Sequence, residues 1–197
     1  MNRRQGVDVA VVGGGVVGTA CALALARQGL DVVLVEAATP APWRPDHPDL
    51  RVFALAADNA GLLDALGVWT EVRKARLHPY RRMRVWDAAG GGELAFDADA
   101  FGRRELGWIV ENGLLVDRAW AALDAAGVRV HAPARVVALD SSDGDDVARL
   151  RLDDGSQLQA RIAIAADGAQ STLRELAGLH VERHDYGQRG VVGYVAT

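Results

Sequence analysis

The sequence predicts an α/β fold: a Rossmann-like parallel sheet joined by a small antiparallel β-meander. Three observations carry this reading. Val9-Ala10-Val11-Val12 is a mostly β-branched apolar run, the pattern of a strand buried on both faces, and it enters Gly13-Gly14-Gly15-Val16-Val17-Gly18 directly. An alanine- and leucine-rich segment then reaches Gln28, and a second apolar run, Asp31 to Val35, ends at Glu36. Finally, Arg135 to Leu139, Val147 to Leu152 and Gln157 to Ala165 read as short strands separated by Ser/Asp/Gly turns.

Composition bounds the function. With 197 residues, half of them hydrophobic, the chain can bury a sizeable core and is not intrinsically disordered. Lysine plus arginine gives 22 against 26 for aspartate plus glutamate, a net charge of −4. That mildly acidic balance, without a basic tail, argues against nucleic acid as a partner. The single cysteine, Cys21, cannot form an internal disulfide and suits a reducing, cytoplasmic setting. Residues 9 to 26 carry no charge and follow Arg3 and Arg4, as in a signal peptide, but glycines 13, 14, 15 and 18 break the run after four apolar residues.

Each part of the opening unit has a physical task. Gly13 makes the tight turn, Gly15 lets a diphosphate approach the backbone, and Gly18 lets the helix pack closely. The first-turn amides, those of Val16, Val17 and Gly18, have no acceptor within the helix and face an anion together with the positive dipole end. Glu36, about twenty residues on, is placed to accept hydrogen bonds from both ribose hydroxyls. Its charge repels a 2′-phosphate, so the site prefers FAD or NAD to NADP. This motif alone does not separate FAD from NAD. Cys21, inside the helix, reads as a buried inert thiol.

The four prolines between Thr39 and Asp49 mark an exposed loop. Arg51 to Leu55 leads into a helix with Leu62, Leu63 and Leu66 on one face and Gly67 as its stop. Met83 to Asp87 and Glu93 to Phe96 form two strands around Gly90-Gly91-Gly92. Trp108 to Val110 is a short strand, a helix runs from about Leu114 to Ala126 with Gly127 ending it, and Val128 to Val130 resumes a strand. Ile162 to Ala166 ends on Asp167-Gly168, with Ser171 set to cap a short helix reaching Ala177.

Taken together these residues resemble the FAD-dependent aromatic hydroxylases of the para-hydroxybenzoate hydroxylase fold, and among them the ubiquinone-biosynthesis hydroxylases. The matching segments are Gly13 to Glu36, Arg51 to Leu55 with Leu66-Gly67-Val68-Trp69, Met83 to Asp87, Val110-Glu111-Asn112, Asp167-Gly168…Ser171…Arg174, and Tyr186-Gly187-Gln188. The resemblance implies an FAD-dependent monooxygenase in which NAD(P)H is the electron donor and O₂ supplies the oxygen placed on a phenolic, polyprenylated ring. It implies that Arg51 and Asn112 contact FAD, and that Asp167 and Gly168 lie near the ribityl chain and diphosphate. No proton-transfer residue is assigned, because the flavin carries the hard chemistry. The resemblance leaves open a peripheral association of the full-length protein with the inner membrane, and assembly into a homo-oligomer or a multi-enzyme complex.

Two departures stand out. Ala56 occupies the position where relatives carry Ser or Thr, which shifts helix capping to Asp58. The family's third motif, a Gly-Asp after a hydrophobic strand, is missing, and Gly144-Asp145 sits in a polar turn before the expected place. Residues 1–180 are therefore expected to form the FAD-binding domain, with 78–110 contributing to the substrate side, and 181–197 to begin a substrate domain. On that basis the chain is expected to be the N-terminal part of a longer hydroxylase and to be inactive by itself.

Other candidates read as structural. His180 and His184 are expected to be solvated rather than metal ligands, and no metal is assigned. Arg81, Arg82 and Arg84 suit a solvated strand edge, and the five tryptophans suit the core. Three further functions stay open: another flavoenzyme of this fold such as a reductase or halogenase, a non-catalytic FAD- or ADP-binding module, and an NAD-dependent dehydrogenase. A flavin spectrum separates the first from the last.

Overall fold

The computed structural model describes residues 6–140 and 147–193, and its chain divides into two compact units. One comprises residues up to Pro42 together with Ala119 onward, the other Trp43–Arg118. Gly144-Asp145 lies outside the described residues.

The first unit holds the predicted nucleotide-binding pattern. Strand β1 (Val7–Val12) pairs in parallel with β2 (Val32–Val35), and helix α1 (Val16–Arg27) crosses between them. Beside the elements of the second unit, β3 to β7, the numbering continues with β8 (Arg129–His131), β9 (Val136–Asp140), β10 (Ala148–Leu152) and β11 (Gln157–Ala165). The sheet order is β8-β2-β1-β11-β10-β9. β8 and β2 pair in parallel, as do β1 and β11, whereas β11-β10-β9 is antiparallel.

The meander is thus no separate layer. β11 is parallel to β1 on one edge and antiparallel to β10 on the other, so it joins both patterns in one sheet. The parallel strands β1 and β2 are buried almost throughout, which is why they read as unbroken apolar runs and not as alternation. Ala10, Val12, Val33, Val35, Leu150 and Leu152 share one core cluster with Leu173 of helix α5 (Thr172–Leu176). Burying a Leu or Val side chain contributes roughly 1.5–3 kcal/mol, so this cluster supplies much of the unit's driving force.

In the second unit, β3 (Val52–Ala56), β7 (Gly107–Glu111) and β4 (His78–Tyr80) form an antiparallel sheet in the order β3-β7-β4. Helices α2 (Ala57–Ala65) and α3 (Trp69–Ala75) follow β3. Trp69 is buried and meets Trp108 edge to face, with centroids 5.3 Å apart. A hairpin of β5 (Arg82–Trp86) and β6 (Glu93–Asp97) stands as its own two-stranded sheet, with Gly90-Gly91-Gly92 between its strands. Helix α4 (Asn112–Leu123) carries the division between the units.

Several expectations need correction. Leu62 does not share the buried face of Leu63 and Leu66; it is 52% exposed. Asp58 does not cap α2: the N-cap is Ala56, and no side chain bonds that end. Trp86 is 67% exposed and so is not a core residue. Arg81, Arg82 and Arg84 are exposed, as expected, and each pairs with a carboxylate: Asp99, Asp97 and Glu93 respectively. α3, β4 and the 3-10 turn Ala98–Phe101 were not anticipated. β4 contains Pro79, which suits a strand at a sheet edge.

Candidate cofactor site

The glycine turn is built by the end of β1 and the start of α1. Gly13 has φ +111°, and a Cβ there would stand 2.3 Å from the carbonyl oxygen of Ala166 and 2.7 Å from the Asp167 nitrogen. On Gly18 a Cβ would stand 1.9 Å from the Gly13 carbonyl oxygen. Only glycine permits either approach. At Gly15, by contrast, a Cβ would meet nothing within 4 Å. The turn is therefore packed hard where it faces the sheet and open at the residue that begins the helix.

Gly15 is the N-cap of α1, without a side-chain cap, and the Thr19 amide donates to the Gly15 carbonyl at 2.9 Å. The amides of Val16, Val17 and Gly18 thus precede the first bond of the helix and have no acceptor inside it. A free helix end with an open approach at Gly15 fits a diphosphate group.

Glu36 follows β2 and turns its carboxylate back to the loop. The Gly14 amide donates to its Oε2 at 2.5 Å and the Ala38 amide to its Oε1 at 3.1 Å. An ionised carboxylate has about four acceptor positions, so these two bonds orient the group and leave acceptor capacity for further donors.

Asp167 and Gly168 reach the same place through the sheet. β1 and β11 run in parallel, Val12 opposite Ala165, and the Ala166 amide donates to the Val12 carbonyl at 2.7 Å. The Asp167 carboxylate accepts from the Ser171 hydroxyl, and from the Leu173 amide at 3.0 Å. Ser171 in turn caps α5, accepting from the Arg174 amide at 3.0 Å. Arg174 donates to the Ala169 carbonyl at 3.0 Å. Asp167, Ser171 and Arg174 of the recognised motif therefore form one hydrogen-bonded turn, with Gly168 at φ +87° inside it.

Arg51 and Asn112 belong to the other unit, where they are adjacent: the Asn112 amide donates to the Arg51 carbonyl at 2.8 Å. Asn112 is the first residue of α4, directly after β7. Asp49 braces both segments, accepting from the Arg51 amide and from the Gly113 amide, each at 2.9 Å. The Arg51 guanidinium lies 5.6 Å from the Phe53 ring centroid.

Two further residues, Glu111 and Trp120, brace the candidate segments, each within its own unit. Glu111, 7% exposed, accepts from the Trp43 indole at 3.2 Å and the Asp49 amide at 2.9 Å, and pairs with Arg76 at 2.7 Å. It thereby ties the proline-rich loop to the strand that ends at Asn112. Its signal in the sequence was an acid closing an apolar strand, the same position that Glu36 holds after β2. Trp120 donates its indole N–H to the Gly14 carbonyl at 2.7 Å. No local pattern marks that contact, because it joins residues 106 apart.

The remaining groups are quiet. Burial pushes the Cys21 thiol above its ordinary pKa, the opposite of what a nucleophile needs. His180 and His184 are exposed, beyond α5. Among the described residues no cluster of three His, Cys, Asp or Glu is arranged to hold a metal, and no helix is long and apolar enough to cross a membrane. In the second unit a cavity of about 540 Å³ is lined by Tyr80, Met83, Phe96, Phe101, Arg103 and Leu106.

Comparison with known proteins agrees with this geometry. A family model described as "FAD binding domain" matches residues 6–196. The chain is 40% identical over 186 residues to 3-demethoxyubiquinol 3-hydroxylase of Escherichia coli (strain K12), covering 93% of the chain and 47% of that protein. It is 33% identical over 199 residues to the mitochondrial ubiquinone biosynthesis monooxygenase COQ6 of Xenopus tropicalis, covering 94% of the chain and 42% of that protein. A crystal structure of a PqsL variant from Pseudomonas aeruginosa superposes with a TM-score of 0.74 at 26% identity, over 91% of this chain and 48% of that one. The chain spans less than half the length of these relatives. With a family match over nearly its whole length, on a glycine turn and an Asp-Gly turn joined through paired strands, the chain belongs to the FAD-binding domain family found in flavin-dependent hydroxylases.

Proposed function

We propose that the protein is an FAD- and NAD(P)H-dependent monooxygenase that hydroxylates a polyprenylated phenolic ring, of the ubiquinone-biosynthesis type. The observation that carries the proposal is the junction of the two turns: the open helix end at Gly15 and the capped turn at Asp167 are held side by side by the pairing of β1 with β11. The names of the relatives support the substrate class.

In this reading the amides of Gly15, Val16, Val17 and Gly18 bind the diphosphate, with Gly13 setting the turn. Glu36 uses its remaining acceptor positions for the adenosine ribose. Asp167 and Gly168 border the ribityl chain and diphosphate, and Arg51 and Asn112 are the remaining residues assigned to FAD contact. When bound, FAD supplies the redox chemistry, with NAD(P)H as donor and O₂ as oxygen source. The chain's residues bind and orient.

Residues 1–180 serve as the FAD-binding domain, with 78–110 on the substrate side, where the apolar cavity around Met83 and Phe96 suits an aromatic ligand. Residues 181–197 begin the substrate domain. The full-length protein works in the cytoplasm, at the periphery of the inner membrane, as a homo-oligomer or within a biosynthetic complex.

The test has two arms. The 197-residue chain is titrated with FAD, and the polypeptide of the entire gene is assayed for NAD(P)H oxidation with a prenylated phenol. FAD binding by the first and stoichiometric hydroxylated product from the second are expected. NAD(P)H oxidation without any hydroxylated product contradicts the reading.

A further inference from the structure

We propose that Trp120 is a positioning residue for the glycine turn: its indole N–H fixes the Gly14–Gly15 peptide so that the Gly15 amide faces the open side of the turn. The proposal rests on the FAD-binding reading only for the identity of the ligand that this amide serves.

A trans peptide is planar, and its carbonyl and its N–H point in opposite directions. The Gly14 carbonyl accepts from Trp120 Nε1 at 2.7 Å, so the Gly15 N–H in the same plane points away from Trp120. The preceding peptide is held as well, because the Gly14 N–H donates to Glu36. Both peptide planes that meet at the Gly14 Cα therefore have a side-chain partner, one following β2 and one on α4.

The fit is tight on that side only. A Cβ on Gly14 would stand 2.6 Å from Trp120 Cζ2 and 2.9 Å from Glu36 Cγ, whereas one on Gly15 would meet nothing within 4 Å. Indole nitrogen is a donor only. Rotating the Gly14–Gly15 peptide by half a turn would set N–H against N–H and leave both unsatisfied, so Trp120 selects one of the two orientations available to a Gly-Gly linkage. Flexible glycine pairs flip readily, and an amide fixed before the ligand arrives removes an ordering cost from binding.

The experiment compares the wild-type chain with Trp120→Phe, which retains an aromatic ring and loses the donor. A second variant carries β-(3-benzothienyl)alanine at position 120, which keeps the bicyclic shape and replaces N–H by sulfur. Trp108→Phe is the control for loss of an indole elsewhere. Amide hydrogen exchange is measured without ligand, and FAD affinity by titration. In both variants at position 120, the Gly14 amide is expected to exchange about fivefold to tenfold faster and the FAD Kd to rise about fivefold to tenfold, the loss of roughly one hydrogen bond. Exchange in β1 and β11 stays as in wild type, and Trp108→Phe leaves the turn unchanged.

Wild-type exchange at Gly14 in the benzothienyl variant overturns the proposal. So does faster exchange spread evenly through the sheet, which marks Trp120 as packing alone. If Trp120→Phe does not fold, the benzothienyl variant decides. If wild type takes up no FAD while the variants still loosen Gly14, the FAD reading fails and the positioning role stands.

Discussion

Gly13 lies against Ala166 so closely that a Cβ on the glycine would stand 2.3 Å from the Ala166 carbonyl oxygen. Two turns more than 150 residues apart in sequence are thereby one piece of backbone. The contact depends on the parallel register that sets Val12 beside Ala165. It separates two kinds of glycine in a single motif.

Gly13→Ala is expected to destabilise the chain by about 2–4 kcal/mol, since it adds both a positive φ and an overpacked contact. Gly15→Ala is expected to change stability by less than about 1 kcal/mol, because Gly15 has φ −71° and faces open space. Its cost falls on FAD affinity. Thermal unfolding beside FAD titration checks the pair, and equal stability losses for both would contradict this division.

The strand-turn-helix-strand unit was legible because its strands are buried on both faces and its breakers are glycines. The partner choice of β11 was not. An apolar run shows that a strand is buried but not which strands flank it, and β11 takes a parallel neighbour on one edge and an antiparallel one on the other. On α2, Leu62, Leu66 and Leu63 span an arc of about 100° in that order around the helix; Leu62 stands at its border, and the packed face stops short of it. Trp86 alternates with Val85 on a two-stranded hairpin, and a hairpin has no second layer to bury both faces. The Trp120 contact is invisible to any local pattern. In the site, the glycines, Glu36 and the Asp167 turn were readable from motif spacing; the side chains that brace them were not.

Glu111→Ala removes the acceptor for the Trp43 indole and the Asp49 amide and leaves Arg76 without its carboxylate. A loss of about 1–3 kcal/mol is expected in urea unfolding, the range for leaving half-buried donors without their acceptor; the Arg76 side chain, 41% exposed, keeps water as an alternative partner. The Asp49 amide should lose exchange protection first. A change below about 0.5 kcal/mol would show that the proline-rich loop is held by other contacts.

Ser171→Ala deletes the N-cap of α5 and is expected to cost about 1 kcal/mol. Exchange at the Arg174 amide should rise, while Leu173, whose amide bonds Asp167, should be affected less. Equal acceleration at both residues would mean that Asp167 and Ser171 act only as a unit.

Asp97 offers a pH test in the hairpin. The Asp99 amide, and then Arg82, hold its carboxyl below the ordinary aspartate value. A depressed folded-state pKa stabilises the fold above the unfolded value of about 3.9, and that contribution fades as pH falls through the folded value. Carboxyl-carbon NMR should show Asp97 titrating below a model aspartate, and Arg82→Ala should move it upward. Titration at the model value in the wild-type chain would contradict the assigned cause.

The most direct measurement is an amide-resolved NMR titration of the chain with FAD. The resonances of Gly15, Val16, Val17 and Gly18 should shift saturably and together, with Asp167 and Gly168 following at the same FAD concentration. Saturable shifts that leave Gly15 to Gly18 unmoved, or no shifts at all, would contradict the account.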